Sequence, residues 1–220
     1  MTQTSTLQDP RVVSALDRMF TDARRDDLTR VRIESSRPEG FASATPQEQA
    51  DAKAEVYMPI SEEGGRLLYN LVRATRPATV VEFGTSFGIS TLYLAAAVRD
   101  NGTGRILSTE LSASKAAAAR RTFTETGLDD LVTVLVGDAR HTLAAHSGPV
   151  DFVLLDGWKD LCLPVLRLLE PHLAPGTLVV ADDIDLDDLR PYLDYVRETR
   201  NGYQSVSFPV EDGMEISCRL

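Results

Sequence analysis

From Thr79 onward, short apolar runs alternate with helix-length amphipathic segments, and this alternation constrains the fold more than any other feature. Thr79–Phe83, Arg105–Thr109, Val132–Val136, Asp151–Leu155 and Thr177–Ala181 read as strands. Ile89–Val98 reads as a helix between the first two. A second starts at Ala113 behind the cap Ser112 and closes at Gly127. Leu161, Val165, Leu168, Leu169 and His172 fall at helical spacing, and a later helix runs through Leu189, Leu193 and Val196. Such a chain buries its apolar faces as a mostly parallel α/β sheet with helices on both sides, a Rossmann-like arrangement. The ending differs. Tyr203–Phe208 and Met214–Cys218 read as strands joined by Glu211-Asp212-Gly213, an antiparallel C-terminal hairpin.

The segment before this core reads as helices and loops. Asp9-Pro10 starts a helix with Val13, Leu16 and Phe20 on one side, and Arg37-Pro38-Glu39-Gly40 is a turn signal. Thr45-Pro46 opens a short helix over Gln47–Ala54. Ser61 caps another, with Glu62 and Glu63 in its first turn, Leu67, Leu68, Leu71 and Val72 as its apolar face and Pro77 beyond its end. The expectation is one domain over 1–220, with 1–60 an N-terminal helical cap or lid and 61–220 the core.

The net charge of −10 opposes nucleic-acid binding, because phosphate contacts dominate that affinity. No apolar run approaches the ~20 residues of a membrane helix, and the polar start lacks a signal-peptide core. A cytoplasmic protein is expected. Cys162 and Cys218 are too few and too far apart for a disulfide framework, and read as buried free thiols.

In open α/β sheets ligands bind beyond the carboxyl ends of the strands, so the residues there carry the function. After the first strand comes Glu82-Phe83-Gly84-Thr85-Ser86-Phe87-Gly88. Gly84 permits close backbone approach and Gly88 a tight entry into the helix. The third glycine of the dinucleotide fingerprint is missing. Glu82, placed at the mouth of the turn, suits an ammonium or sulfonium better than pyrophosphate. Glu110, after the second strand, can accept both hydroxyls of a ribose. Gly137-Asp138-Ala139, after the third, can read the amino edge of adenine. Asp156 follows the fourth strand, and Asp182 and Asp183 end the fifth. Three converging carboxylates repel one another unless a cation compensates them, and hard oxygen donors favour Mg²⁺ or Ca²⁺. Lys159, one helical turn from Asp156, is placed to act as a base whose pKa a metal lowers.

These residues resemble the cation-dependent O-methyltransferases that use S-adenosylmethionine (SAM), and among them the catechol O-methyltransferases. Leu155-Asp156-Gly157-Trp158-Lys159-Asp160 is similar to their Leu-Asp-His-Trp-Lys-Asp, Ala181-Asp182-Asp183 to their Ala-Asp-Asn, and Val81-Glu82-Phe83-Gly84 to their Leu-Glu-Leu-Gly. Ser90 falls on a cofactor-binding serine, and Met58 precedes Glu82 by the family interval of 24 residues. The resemblance runs from about Tyr57 to the end. It implies Mg²⁺ or another divalent cation on Asp156, Asp182 and Asp183, with Lys159 and Asp156 catalytic. It also implies SAM against Met58, Ile60, Glu82, Gly84, Ser86, Ser90, Glu110, Asp138, Ala139, Asp156 and Trp158. The partner it implies is a small-molecule hydroxyl acceptor, catechol-like or a natural product. A homodimer is left open, and membrane and nucleic acid are not expected.

Four positions depart from the family. Asp183 stands for Asn, Val206 for the glutamate that orients catechol, Val56 for a gatekeeping tryptophan, and Gly157 for the histidine. The expectation is a reshaped, roomier acceptor pocket. Competing readings are a tRNA wobble-uridine O-methyltransferase, opposed by the charge, and an NAD-dependent dehydrogenase, which leaves the carboxylates after strands four and five without a role. A non-catalytic SAM-binding module leaves Lys159 without one.

Overall fold

The computed structural model describes residues 5–26 and 45–220, so the turn expected at Arg37–Gly40 lies outside the described residues. Helix α1, Pro10–Arg25, begins where expected, with the Asp9 side chain accepting from the Arg11 amide. Its buried stripe is Val12, Ala15, Leu16 and Met19. Val13, expected inside, is 40% exposed because the stripe is centred about one residue earlier. Helix α2, Pro46–Ala52, carries a capping box between Thr45 and Glu48. Helix α3, Glu62–Thr75, is capped by the Ser61 hydroxyl.

Seven strands follow among the described residues: β1 Thr79–Phe83, β2 Arg105–Glu110, β3 Val132–Val136, β4 Val150–Leu155, β5 Leu173–Asp182, β6 Tyr203–Phe208 and β7 Met214–Arg219. They form one sheet in the order β3-β2-β1-β4-β5-β7-β6. The first five run parallel, and β7 is antiparallel to both β5 and β6. Strand β5 starts at Leu173 rather than Thr177, because Leu173 pairs with Val150 across a register irregularity that absorbs Pro175 and Gly176. The connecting helices are α4 Ile89–Asn101, α5 Ala113–Thr126, α6 Ala139–Thr142, α7 Cys162–Leu169 and α8 Arg190–Arg197.

Strand alternation divides the core in two. Val80, Ile106, Val134, Phe152, Leu154 and Val180 face α1, α3, α4 and α5. Val81, Phe83, Val153, Leu155 and Val179 face α7 and α8. Cys162 is buried in the second core, while Cys218 is only partly buried; neither forms a disulfide.

Of the charged strand residues on the first face, Glu82 lies deepest in the sheet. Glu82 is fully buried on β1, and its carboxylate accepts from Ser90 Oγ and Thr91 Oγ1, each at 2.6 Å, and from Ser108 Oγ at 2.5 Å. Ser108 is its register partner on β2, and Ser90 and Thr91 open α4. Burial pushes the carboxyl pKa up from 4.5 to about 7, against the pull of the three hydroxyls.

This packing can be tested at two positions. A β-carbon on Gly65 of α3 would lie 2.3 Å from the Tyr93 ring of α4. Gly→Ala inside a helix ordinarily gains ~1 kcal/mol. Here the overlap outweighs that gain, and Gly65→Ala should destabilise by about 1–3 kcal/mol in denaturant titration. An unchanged midpoint would show that the ring has room to move. For Glu82, a pKa raised in the folded state means that its stabilising share is complete below pH 4.5 and is lost as pH rises to about 7. That share is on the order of 3 kcal/mol. Glu82→Gln should flatten the fall of melting temperature across this window in ligand-free protein; parallel curves for the two proteins would contradict it.

Candidate active site

The strand order reverses between β1 and β4, and a cavity of about 820 Å³ opens at the carboxyl ends there. The β1–α4 turn forms its floor. Gly84 has φ +105°, and a β-carbon on it would meet the Asp156 carbonyl oxygen at 2.4 Å, so only glycine fits between β1 and β4. From this turn Ser86 and Ser90 reach the cavity. Glu110 reaches it from the end of β2, its carboxylate accepting from the Ser86 amide at 2.7 Å and the Ser112 amide at 2.8 Å. Met58 and Ile60 line it from the segment before α3, and Ala139 and Trp158 from the segments after β3 and β4.

Two expected ligand contacts fall elsewhere. Glu82 does not line the cavity: its carboxylate lies beneath the floor, holding the Ser90 hydroxyl. The Asp138 carboxylate is turned away too, accepting from the Arg140 amide at 2.8 Å to cap α6 and pairing with the Arg140 guanidinium. The cap answers a local need, because the first turn of α6 leaves amides unsatisfied, and it leaves Gly137 and Ala139 as the residues of this segment that line the cavity.

At the ends of β4 and β5, Asp156, Asp182 and Asp183 converge, each offering an oxygen within 4.8 Å of the others. Asp183 is held at φ +59°, which swings it toward the group. Lys159 Nζ lies 3.1 Å from Asp156 Oδ1 and 2.9 Å from Asp183 Oδ2. Burial and mutual repulsion raise the pKa of both Asp156 and Asp182, although Lys159 pulls the other way. Burial alone would lower Lys159, but Asp156 and Asp183 outweigh it and hold the ammonium above its ordinary value. The lowered Lys159 pKa expected from the sequence is that of a site whose carboxylates are engaged by a cation; facing the two carboxylates directly, the lysine is held in its charged form. Asp182 Oδ1 is buried and has no hydrogen-bond partner among the described residues. Buried oxygens are normally paired, and a hard divalent cation shared with two more carboxylates would satisfy this one. The donor set fits such an ion.

Several site residues escape a reading of the sequence. Tyr57 stacks on Phe87 with ring centroids 4.1 Å apart, and both line the cavity. Lys53 lies 5.1 Å over the Trp158 ring, and Arg24 brings α1 to the wall. Lys115 and the hairpin residues Glu211 and Asp212 also line it. Of the departures, Val206 is 61% exposed and outside the cavity, while Val56 is buried in its wall. A β-carbon on Gly157 would meet the Phe83 ring at 2.5 Å. The ring thus fills the space that a larger residue would take, and the pocket is not roomier at that point.

Residues 81–184 match a family described as a methyltransferase domain. The chain is 32% identical to catechol O-methyltransferase B of Danio rerio over 74% of its own length and 66% of the relative's. It is 31% identical to the catechol O-methyltransferase of Sus scrofa over 64% of its own length and 78% of the relative's. For the relative from Danio rerio and several others, the shared stretch is less than two thirds of the relative's length. Its fold is similar to that of an O-methyltransferase from Bacillus cereus solved with S-adenosylhomocysteine (SAH). There the TM-score is 0.67, at 20% identity, over 92% of this chain and 100% of that one. The glycine turn on β1, the acid ending β2 and the carboxylates ending β4 and β5 agree with these likenesses: the chain belongs to the SAM-dependent O-methyltransferase family that includes the catechol O-methyltransferases.

Proposed function

We propose that the protein transfers a methyl group from SAM to a hydroxyl of a small acceptor bearing vicinal oxygens, catechol-like or a natural product, with a divalent cation on Asp156, Asp182 and Asp183. The observation that carries this reading is the orphaned Asp182 oxygen beside two further carboxylates and Lys159, in the same cavity as Gly84 and Glu110. A dehydrogenase has no use for that cluster.

Gly84 lets the cofactor approach the backbone, Ser90 meets its amino-acid end, and Glu110 accepts from its ribose hydroxyls. When bound, the cation orients two oxygens of the acceptor and lowers the pKa of a hydroxyl. Lys159 accepts the hydroxyl proton. It can do so only when Asp156 and Asp183 spend their charge elsewhere, leaving burial to lower its pKa. As the acceptor oxygen bonds to the methyl carbon, the carbon–sulfur bond breaks, and the sulfonium becomes a neutral thioether. Trp158, Tyr57 and Phe87 wall the cavity with aromatic surface and limit water around the reacting atoms.

With SAM, Mg²⁺ and a 3,4-dihydroxyphenyl acceptor, mass spectrometry should detect a monomethylated product. EDTA should abolish turnover and added Mg²⁺ restore it; full activity after exhaustive chelation would refute the cation's part. Lys159→Met should lower kcat about 100-fold or more, the usual scale for a positioned acid–base group, while SAH affinity holds. For the cofactor, calorimetry of Glu110→Ala should show SAH bound at least about 10-fold more weakly, a loss of ~1.4 kcal/mol or more. Equal affinity would remove Glu110 from the cofactor site.

A further inference from the structure

Lys115 is an unusual lysine for the first turn of a helix: it is 2% exposed, and it lines the cavity. Its Nζ lies 3.3 Å from Ser86 Oγ and 5.3 Å from the centroid of the Phe87 ring. The Ser86 amide in turn donates to Glu110 Oε2 at 2.7 Å. One turn of backbone therefore brings an ammonium and a carboxylate to the same edge of the cavity. The charged groups acting on Lys115 are Glu110, which favours its charge, Lys53, which opposes it, and Asp26, which favours it. Burying a cation is costly unless it meets partners, and among the described residues the Ser86 hydroxyl, with the more distant carboxylates of Glu110 and Asp26, is a thin set for three donors.

We propose that Lys115 is a second ribose-binding residue: its ammonium donates to a ribose hydroxyl oxygen of the cofactor while Glu110 accepts the hydroxyl protons. The assignment rests on the SAM reading of the cavity. The chemistry is complementary, because each ribose hydroxyl is both donor and acceptor, and a carboxylate can use only the donor side. A lysine supplies the missing half. Phe87 below and Ser86 beside it fix the ammonium in place, so little side-chain freedom remains to be lost when the ligand arrives. Burial lowers the Lys115 pKa to about 8, which leaves the side chain mostly charged at neutral pH.

The test is a cycle between protein and ligand. SAH, 2′-deoxy-SAH and 3′-deoxy-SAH are titrated into wild type, Lys115→Met and Lys115→Arg, with thermal melting of each ligand-free protein as the check on folding. Lys115→Met should bind SAH about 10-fold or more weakly. Removing the hydroxyl that Lys115 meets should cost the wild type a similar factor and the variant much less, so that the two losses do not add. Lys115→Arg, which keeps the cation, should recover part of the affinity and part of the discrimination. If Lys115→Met melts far below the wild type, Lys115→Arg becomes the deciding variant: it should still prefer SAH over the deoxy ligand, by a changed factor. Unchanged SAH affinity, fully additive losses for both deoxy ligands, or a Lys115→Arg discrimination identical to wild type would overturn the assignment. Failure of the wild type to bind SAH at all would instead remove the cofactor reading, and this assignment with it.

Discussion

A carboxylate buried in the sheet is the constraint on which the rest of this architecture turns. Glu82 sits where an aliphatic residue would be expected, between Val81 and Phe83 in the middle of the molecule. It is tolerated because hydroxyls from β2 and from the first turn of α4 converge on it. Those bonds fix the angle at which the chain leaves β1, turns through Gly84 and enters α4. The turn, Ser90 and the approach of Asp156 to Gly84 all depend on that angle. A core built only of methyl groups would pack as well but would leave the first turn of α4 free to slide, since apolar contact carries little direction.

The carboxylate cluster is the second place where charge is concentrated at a cost. Asp156 and Asp182 lie on adjacent parallel strands, and Asp183 joins them through a left-handed backbone conformation that non-glycine residues seldom adopt. Lys159 balances part of this charge and is held in its charged form by doing so. The same residue, an ion-pair partner in this arrangement of the cluster, is the proton acceptor of the proposed reaction, and the charge of the carboxylates would decide between the two roles.

Much of this is legible in the sequence. The strands announce themselves as apolar runs, and residues directly after a strand in a parallel sheet must meet at one end, so Gly84, Glu110, Asp156, Asp182 and Asp183 can be gathered without coordinates. The direction of a strand side chain cannot. All five residues of β1 are buried, so no polar alternation betrays which face Glu82 takes. The clue lies in Ser108, its register partner, which becomes one only once β1 and β2 are paired. The cap made by Asp138 is not legible either, because an aspartate before a helix serves a cap and a ligand equally well on paper. Lys115 escapes notice because a lysine in a first helical turn normally points to water. Gly157 and Phe83 exchange volume across two strands, and no local pattern records that trade.

The hairpin also bears on how the molecule is made. Strand β7 follows β6 in the chain yet lies between β5 and β6, so β6 has no place in the sheet until β7 has been synthesised. At the tip of the same hairpin, Glu211 accepts from the Ser61 amide at 2.7 Å, joining the cavity wall to the start of α3 some 150 residues earlier. A chain emerging from the ribosome can therefore complete the β3-β2-β1-β4-β5 part of the sheet while one wall of its cavity is still missing. In that interval the exposed flank of β5 is open to any other strand. Pairing of β7 with β5 then removes that open edge.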